Sequence, residues 1–394
     1  LFRVRIGQFS TGVGWRQHRR VGAMTGDLEQ QQREIPTWVR VVIVIGLLYL
    51  FLVGVKALES GIKAFGADFT DSLFEKVSNP IAGLFVGVLA TVLVQSSSVT
   101  TSTIVGLVGS GSLSVEFAVP MIMGANIGTT VTNTLASLGF LRRTREFRLA
   151  FAGATMHDFF NVCNVAVMLP LEMATGFLTH ASEWLADLFG STTGIGGVGG
   201  SPIKSIVKAP VKMVEGLVER LGGGDDLTGI VLLAFGIAMV LVALTFVTRN
   251  MRLVMAGRVE RSINAVLAKG GGITAILIGT VATVTVQSSS ITTSVLVPMI
   301  AAGVVTLRNA FPITLGANIG TTITALLASL ATENPAGLVI ALHHFLFNAV
   351  GVTFWYSIPV LRNIPLNLAQ RLARHAEVRK SLVVVYVIGG FVII

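Results

Sequence analysis

The chain has 394 residues, of which 52% are hydrophobic and only 12% charged, against roughly 25% charged in soluble domains. With a mean hydropathy of +0.77 and apolar runs reaching the ~20 residues that cross a hydrocarbon core, a water-soluble globule is excluded and an all-α polytopic membrane protein is expected. The net charge of +9 does not imply a nucleic-acid partner, because the basic residues gather in short loops beside apolar runs, where they set membrane orientation.

In chain order, residues 1–37 form a polar arm. Arg3, Arg5, Arg16, Arg19, Arg20 and Arg33, with Arg40 just beyond it, place it in the cytoplasm. Its run of charge followed by a long apolar stretch fits neither a signal peptide nor a transit peptide, and a start at Leu1 rather than Met suggests a chain that begins within a longer one. A first span is expected from Trp38 to Leu58, then an external loop carrying Glu59, Asp68, Asp71 and Glu75. Four apolar runs follow, Ile81 to Val94, Val99 to Gly109, Leu113 to Met123 and Thr129 to Leu141. At 1.5 Å per residue each covers roughly half to two thirds of a membrane. The first pair is expected to form a re-entrant hairpin with Gln95–Ser98 at its tip. The second pair is expected to be one helix broken at the Gly-Ala-Asn-Ile-Gly run, residues 124–128.

Arg142, Arg143, Arg145 and Arg148 place the next loop inside, ahead of a span from Phe147 to Leu171. Residues 172–226 form an external Gly-rich linker with two amphipathic segments, one around Phe177, Trp184 and Leu188, the other around Ile206, Val207, Val211 and Leu217; these suit helices lying in the interface. A span from Leu227 to Val247 returns to a cytoplasmic loop with Arg249, Arg252, Arg258, Arg261 and Lys269. The span Ala336 to Val360 ends at Arg362, Arg371, Arg374, Arg379 and Lys380, ahead of an incomplete last run from Ser381. The units expected are therefore 1–37, 38–171, 172–226, 227–360 and 361–394, with 22 of 29 Lys+Arg on one side. The single cysteine, Cys163, excludes an intrachain disulfide framework. No Asn-x-Ser/Thr glycosylation acceptor occurs.

The 49 residues 91–139 align without gaps on residues 283–331, at 26 identical positions. Beyond the block, His157 and Asn161 correspond to His344 and Asn348. Loop charges oppose one another between the copies. Four Arg follow the first block where Glu333 follows the second, and Glu116 corresponds to Arg308. Homologous halves of opposite orientation are a transporter signature.

Helix breaks offer free N–H groups to an anion, while carbonyl and hydroxyl oxygens suit a hard cation. A lone Gln-Ser-Ser-Ser or a lone Gly-Ala-Asn-Ile-Gly would read as packing chemistry between membrane helices; two copies in register read as a ligand site. His157, Asp158, His343 and His344 read as supports for that site or as links between helices, because Asp158 has no symmetric counterpart.

These doubled motifs, Gln-Ser-Ser-Ser followed by Gly-Ala-Asn-Ile-Gly-Thr-Thr, resemble those of the type II sodium/phosphate cotransporter family over residues 80–170 and 227–360. The resemblance implies Na+-dependent uptake of inorganic phosphate, with Na+ as co-transported ion and no other cofactor. It implies phosphate between the two tips, touching Gln95, Ser96, Ser97, Asn126, Gln287, Ser288 and Asn318. It also implies one Na+ at Gln287, Ser288, Thr321 and Thr324, and a second at Gln95, Thr129 and Thr132. The missing glycosylated, disulfide-bearing external loop makes the chain similar to prokaryotic members, set in a cell membrane with its N-terminus inside. The Na+:phosphate ratio stays open, as does the oligomeric state, a homodimer included. A Na+-coupled carrier of another oxyanion or a dicarboxylate is the nearest alternative. A channel and an intramembrane Ser/His hydrolase are distant ones, the latter because no Gly-x-Ser-x-Gly elbow is present.

Overall fold

The computed structural model describes residues 36–65, 79–193, 202–268 and 272–393, and every regular element among them is a helix. The chain divides into a unit of residues 1–43 and a unit of residues 44–394, and apart from the first turns of α1 everything described below belongs to the second. The arginine-rich arm up to residue 35 and the acidic stretch from residue 66 to 78, with Asp68, Asp71 and Glu75, lie outside the described residues.

Helix α1 (Thr37–Ala64) precedes the first copy of the repeat, which folds as α2 (Pro80–Val94), α3 (Ser97–Gly109), α4 (Val115–Gly128) and α5 (Val131–Ser137). Helices α6 (Thr144–Thr175) and α7 (Phe177–Thr193) meet at Gly176, bent by 74°. Then come α8 (Pro202–Arg220) and α9 (Asp225–Ala268). The second copy folds as α10 (Gly272–Val286), α11 (Ser289–Ser294), α12 (Leu296–Ala301) and α13 (Leu307–Ser329), and α14 (Ala336–Ser357), α15 (Pro359–Val378) and α16 (Ser381–Ile388) complete the described chain. Among the described residues, four helical stretches are long and apolar enough to cross a membrane: Trp38–Ala64, Asp225–Met251, Leu307–Ser329 and Ala336–Ser357; the bent α6–α7 pair qualifies if taken as one span. Helix α9 runs on to Ala268 instead of ending at Val247. Residues 248–268 contain no proline and are rich in Arg, Leu, Met and Ala, all good helix formers.

Both copies turn at the same glutamine. Gln95 (φ +57°) and Gln287 (φ +56°) are the only non-glycine residues with positive φ among those described, a conformation that costs an L-residue about 1–3 kcal/mol. Each glutamine helps to hold its own turn: Gln95 Nε2 donates to the Val92 carbonyl at 2.6 Å, and Gln287 Nε2 to the Val284 carbonyl at 2.6 Å. The next serine is extended in both copies and stands at the N-cap of the following helix, but only in copy one does its side chain form the cap bond. Ser96 Oγ accepts from the Val99 N–H at 3.4 Å.

The expected break at residues 124–128 is not there. Helix α4 continues through Gly128, and α13 runs without interruption from Leu307 through the equivalent residues 316–320 to Ser329. The glycines serve contact instead of bending. A Cβ on Gly124 would lie 1.9 Å from the Leu84 carbonyl oxygen, and one on Gly316 1.9 Å from that of Ile276. Reciprocally, a Cβ on Gly87 would lie 2.0 Å from Met121 O, and one on Gly279 2.1 Å from Ile313 O. Backbone thus lies on backbone between α2 and α4 and between α10 and α13, as small residues permit in membrane helices. Copy one is interrupted only at Thr129–Thr130, where the ladder tightens: the Thr130 N–H donates to Ile127 O at 3.3 Å and the Asn133 N–H to Thr130 O at 3.1 Å. No run of free N–H groups opens there.

Replacing Gly124 or Gly316 by alanine should therefore lower stability by at least the ~1–3 kcal/mol of an overpacked core. Gly216→Ala, in α8 with nothing within 4 Å of a new Cβ, should be neutral or mildly stabilising. Thermal denaturation of the purified variants, followed by size-exclusion chromatography, compares them; equal losses at all three positions would contradict the packing role.

Candidate functional site

The two tips come together. One cavity of about 250 Å³ is lined by Val94 to Val99 of the first copy, Gln287 to Ser290 of the second, and Leu241, Leu244, Thr245 and Thr248 of α9. Among the described residues, no charged side chain lines it. Threonines in the neighbouring helices return their hydroxyls to the carbonyl four residues back: Thr100 to Ser96, Thr103 to Val99, Thr292 to Ser288 and Thr293 to Ser289. The lining serines do otherwise. Among the described residues, the hydroxyls of Ser97, Ser98, Ser288, Ser289 and Ser290 have no hydrogen-bond partner, although Ser97, Ser98 and Ser289 are buried. The first turn of the 13-residue α3 also begins at this wall, bringing N–H groups and a positive dipole end.

Behind each tip stands a matched pair. Thr132 Oγ1 donates to Gln95 Oε1 at 3.3 Å, and Thr324 Oγ1 to Gln287 Oε1 at 3.0 Å. The structure thus joins Gln95 with Thr132, and Gln287 with Thr324. Thr129 and Thr321 are buried as well, and their hydroxyls donate to Ala125 O at 3.0 Å and Ala317 O at 3.1 Å; none of the four threonines lines the cavity, which Thr132 and Thr324 approach only through Gln95 and Gln287.

Asn126 and Asn318 are not brought to the cavity wall either. Both belong to a buried amide network that crosses between the copies. Asn318 Nδ2 donates to Asn161 Oδ1 at 2.6 Å, Asn161 Nδ2 to Asn126 O at 2.6 Å, and Asn348 Nδ2 to Asn126 Oδ1 at 3.2 Å. His157 Nε2 completes it, 2.5 Å from Asn318 Oδ1. With their amides engaged in this way, these asparagines link helices behind the wall. His157 does the same, as the sequence suggested.

Asp158 also faces helices and not the cavity. Its Oδ2 accepts from Thr134 Oγ1 at 3.0 Å and from the Tyr386 hydroxyl of α16 at 2.9 Å. Buried His343 lies 3.7 Å from Glu172, whose carboxylate caps α7 by accepting from the Leu178 N–H at 2.8 Å and the Thr179 N–H at 3.0 Å.

Sequence reasoning missed the α9 wall. Residues 241, 244, 245 and 248 are spaced i, i+3, i+4, i+7, one helical face, and two threonines on that face within an apolar span were the available signal. The repeat could not supply it, because α9 lies outside the duplicated block.

The family profile described as Na+/Pi-cotransporter matches residues 50–196 and 239–357. A relative from Ovis aries, sodium-dependent phosphate transport protein 2A, is 32% identical over 94% of this chain and 68% of its own length. Sodium-dependent phosphate transport protein 2B of Homo sapiens is 32% identical over 90% of this chain and 64% of its own, and that of Bos taurus 33% identical over 90% and 63%. No solved structure matches. On the profile, the relatives and the doubled cavity motif together, the chain belongs to the Na+/Pi-cotransporter family.

Proposed function

We propose that this chain is a secondary active symporter that couples Na+ entry to the uptake of inorganic phosphate across the cell membrane. The single observation that carries this reading is the uncharged cavity into which both copies direct unpartnered serine hydroxyls. Such hydroxyls both donate and accept, so they meet phosphate oxygens and Na+ alike. Phosphate sits between the tips, against Ser96 to Ser98, Ser288 to Ser290 and the first turn of α3. The Gln287–Thr324 and Gln95–Thr132 pairs supply oxygens for Na+, with Thr245 and Thr248 closing the wall. Asn126, Asn318, Thr129 and Thr321 fix the positions of those groups from behind.

Coupling follows from electrostatics. An anion taken from water costs several kcal/mol unless its charge is matched, and among the described residues no Lys or Arg lines the cavity. Bound Na+ is then the counter-charge, so phosphate and Na+ enter together. A tenfold Na+ gradient supplies about 1.4 kcal/mol per ion, and 100 mV about 2.3 kcal/mol per net charge moved.

The two copies are inverted repeats worked by alternating access. Their tips form re-entrant hairpins, the N-terminus is cytoplasmic, and residues 172–226 link the halves outside.

Radiolabelled phosphate uptake into proteoliposomes tests the reading directly. Uptake should require inward Na+, persist against excess sulfate or dicarboxylate, and fail in choline buffer under a proton gradient alone; equal uptake in choline would overturn it.

Within that assay the two ligand sets should separate. Thr324→Val keeps shape but removes an oxygen, and should raise the Na+ concentration for half-maximal uptake by roughly tenfold or more, the scale of a hydrogen bond to a charged group. Ser96→Ala should instead raise the KM for phosphate at saturating Na+. Because the ligands reinforce one another, both are compared at saturating co-ligand, and indistinguishable variants would refute the assignment.

Inversion makes its own prediction. With Cys163→Ser as background, Thr144→Cys at the exposed start of α6 and Asn334→Cys in the exposed bend before α14 should react with an impermeant thiol reagent from opposite faces. Reaction of both from one face would exclude it.

A further inference from the structure

Away from the cavity, five charged side chains meet. Lys56 and Glu59 are buried in α1, at 4% and 0% exposure, with Lys56 Nζ 3.1 Å from Glu59 Oε2. Lys63 Nζ, one turn on, lies 2.7 Å from Glu59 Oε1. Glu333, in the turn between α13 and α14, reaches this pair from another part of the chain: its carboxylate is 2.9 Å from Lys56, 3.8 Å from Lys63 and 3.0 Å from Lys208 of α8. Helix α8 is tied to α1, since the Tyr49 hydroxyl donates to Ile206 O at 3.3 Å. The cluster therefore joins α1 and α8 on one side to the α13–α14 turn of the second copy on the other.

Two helices measure its distance from the cavity. Helix α3 starts at the cavity wall and ends at Gly109, where a Cβ would meet Thr332 at 2.4 Å. Twelve residues at 1.5 Å put the Glu333 turn roughly 18 Å from the tip. On α9, the residues packed against α1 beside the cluster run from Gly229 to Val240, which meets Gly54, whereas the cavity is lined by residues 241–248. The cluster and the cavity thus face successive stretches of α9, and Thr332, next to Glu333, is 2% exposed.

The pairing is arranged so that Glu333 can leave. On its withdrawal Lys56 and Lys63 still have Glu59, so no buried charge is orphaned, which is the costly event in breaking a buried pair. Lys208 and Glu333 are half exposed, at 47% and 42%, and solvated pairs of that kind part at little cost. Lys56, and then Lys208, hold the Glu333 carboxyl at about 2, well below the usual carboxylate range, so it stays charged in any ordinary medium.

We propose that the Lys56–Glu333–Lys208 cluster is a latch that holds shut the face at the end of α3 remote from the cavity, and that this face opens by parting Glu333 from the two lysines. The proposal rests on the alternating-access reading above, but its first test does not need transport.

Full-length protein in proteoliposomes, with Cys163→Ser and Thr332→Cys, is treated with an impermeant thiol reagent. The thiol of Thr332→Cys, buried under the closed latch, should be modified slowly, and adding Glu333→Gln should speed modification about fivefold, the scale of an exposed ion pair. Lys208→Met, at an exposed position whose loss leaves no buried charge, should act in the same direction and replaces Glu333→Gln if that variant fails to fold. In a second arm, Lys208→Cys and Glu333→Cys are joined by a cleavable bifunctional thiol reagent, which should stop Na+-driven phosphate uptake until it is cleaved. Unchanged modification rates, or undiminished uptake across the intact cross-link, would each overturn the latch. Should the unmodified protein take up no phosphate at all, the transport reading fails while the modification rates still decide whether the cluster holds this face closed.

Discussion

Backbone lying directly on backbone, α2 on α4 and α10 on α13, is the contact on which the rest of this structure depends. Without Gly87 and Gly124, or Gly279 and Gly316, no side chain could fit between carbonyls that stand about 2 Å from where a Cβ would be. That closeness brings each hairpin tip alongside the later turns of its partner helix. Gln95 can then reach Thr132, and Gln287 can reach Thr324. The strained left-handed glutamine is tolerated because its amide is held at both ends: Nε2 by a carbonyl three residues back, Oε1 by a threonine on the facing helix. Packing of small residues thus sets the position of the polar groups, and the polar groups in turn fix the turn.

The same arrangement explains why the cavity can be both polar and uncharged. Serine hydroxyls that form no bond inside the protein lose nothing when a ligand arrives, whereas the back-bonded threonines beside them would have to surrender a hydrogen bond. A lysine in this wall would hold phosphate without any cation and would release it reluctantly. Neutral oxygens make anion and cation each other's counter-charge, so on the proposed reading the two enter and leave together.

Much of this was legible in the sequence. Duplication of Gln-Ser-Ser-Ser located the two turns, and the resemblance to the cotransporter family grouped Gln95 with Thr132 and Gln287 with Thr324, side chains that the structure joins by hydrogen bonds. The meaning of Gly124 and Gly128 was not legible: a glycine in an apolar run reads as a helix breaker until the carbonyl packed on it is known, and that carbonyl lies 40 residues away for Gly124. Asn126 and Asn318 were misplaced for a related reason. Six residues, about 1.7 turns, before the pairing threonines Thr132 and Thr324, they meet Asn161, His157 and Asn348 instead, and only the crossing of helices decides that. Tyr386 could not have been linked to Asp158 from sequence, since nothing in the repeat reaches 228 residues along the chain. Helix α9 joined the wall through a face that has no duplicate.

Similar as they are, the copies are not chemically equal, and their differences fall on one side. Copy one is interrupted at Thr129–Thr130, whereas α13 is continuous. Asn133, whose counterpart is Ala325, donates to Thr293 of the other copy at 2.5 Å. Thr134, whose counterpart is Leu326, donates to Asp158, which has no counterpart either. The stretch of copy one that carries Thr132 is thus tied to Asp158 and to Thr293 through Thr134 and Asn133, whereas Ala325 and Leu326 leave the equivalent stretch of α13 without such ties. Two oxygen pairs of matching partners are therefore held by unlike surroundings, so on the proposed reading cations at the two pairs would differ in affinity even though the ligating groups are the same.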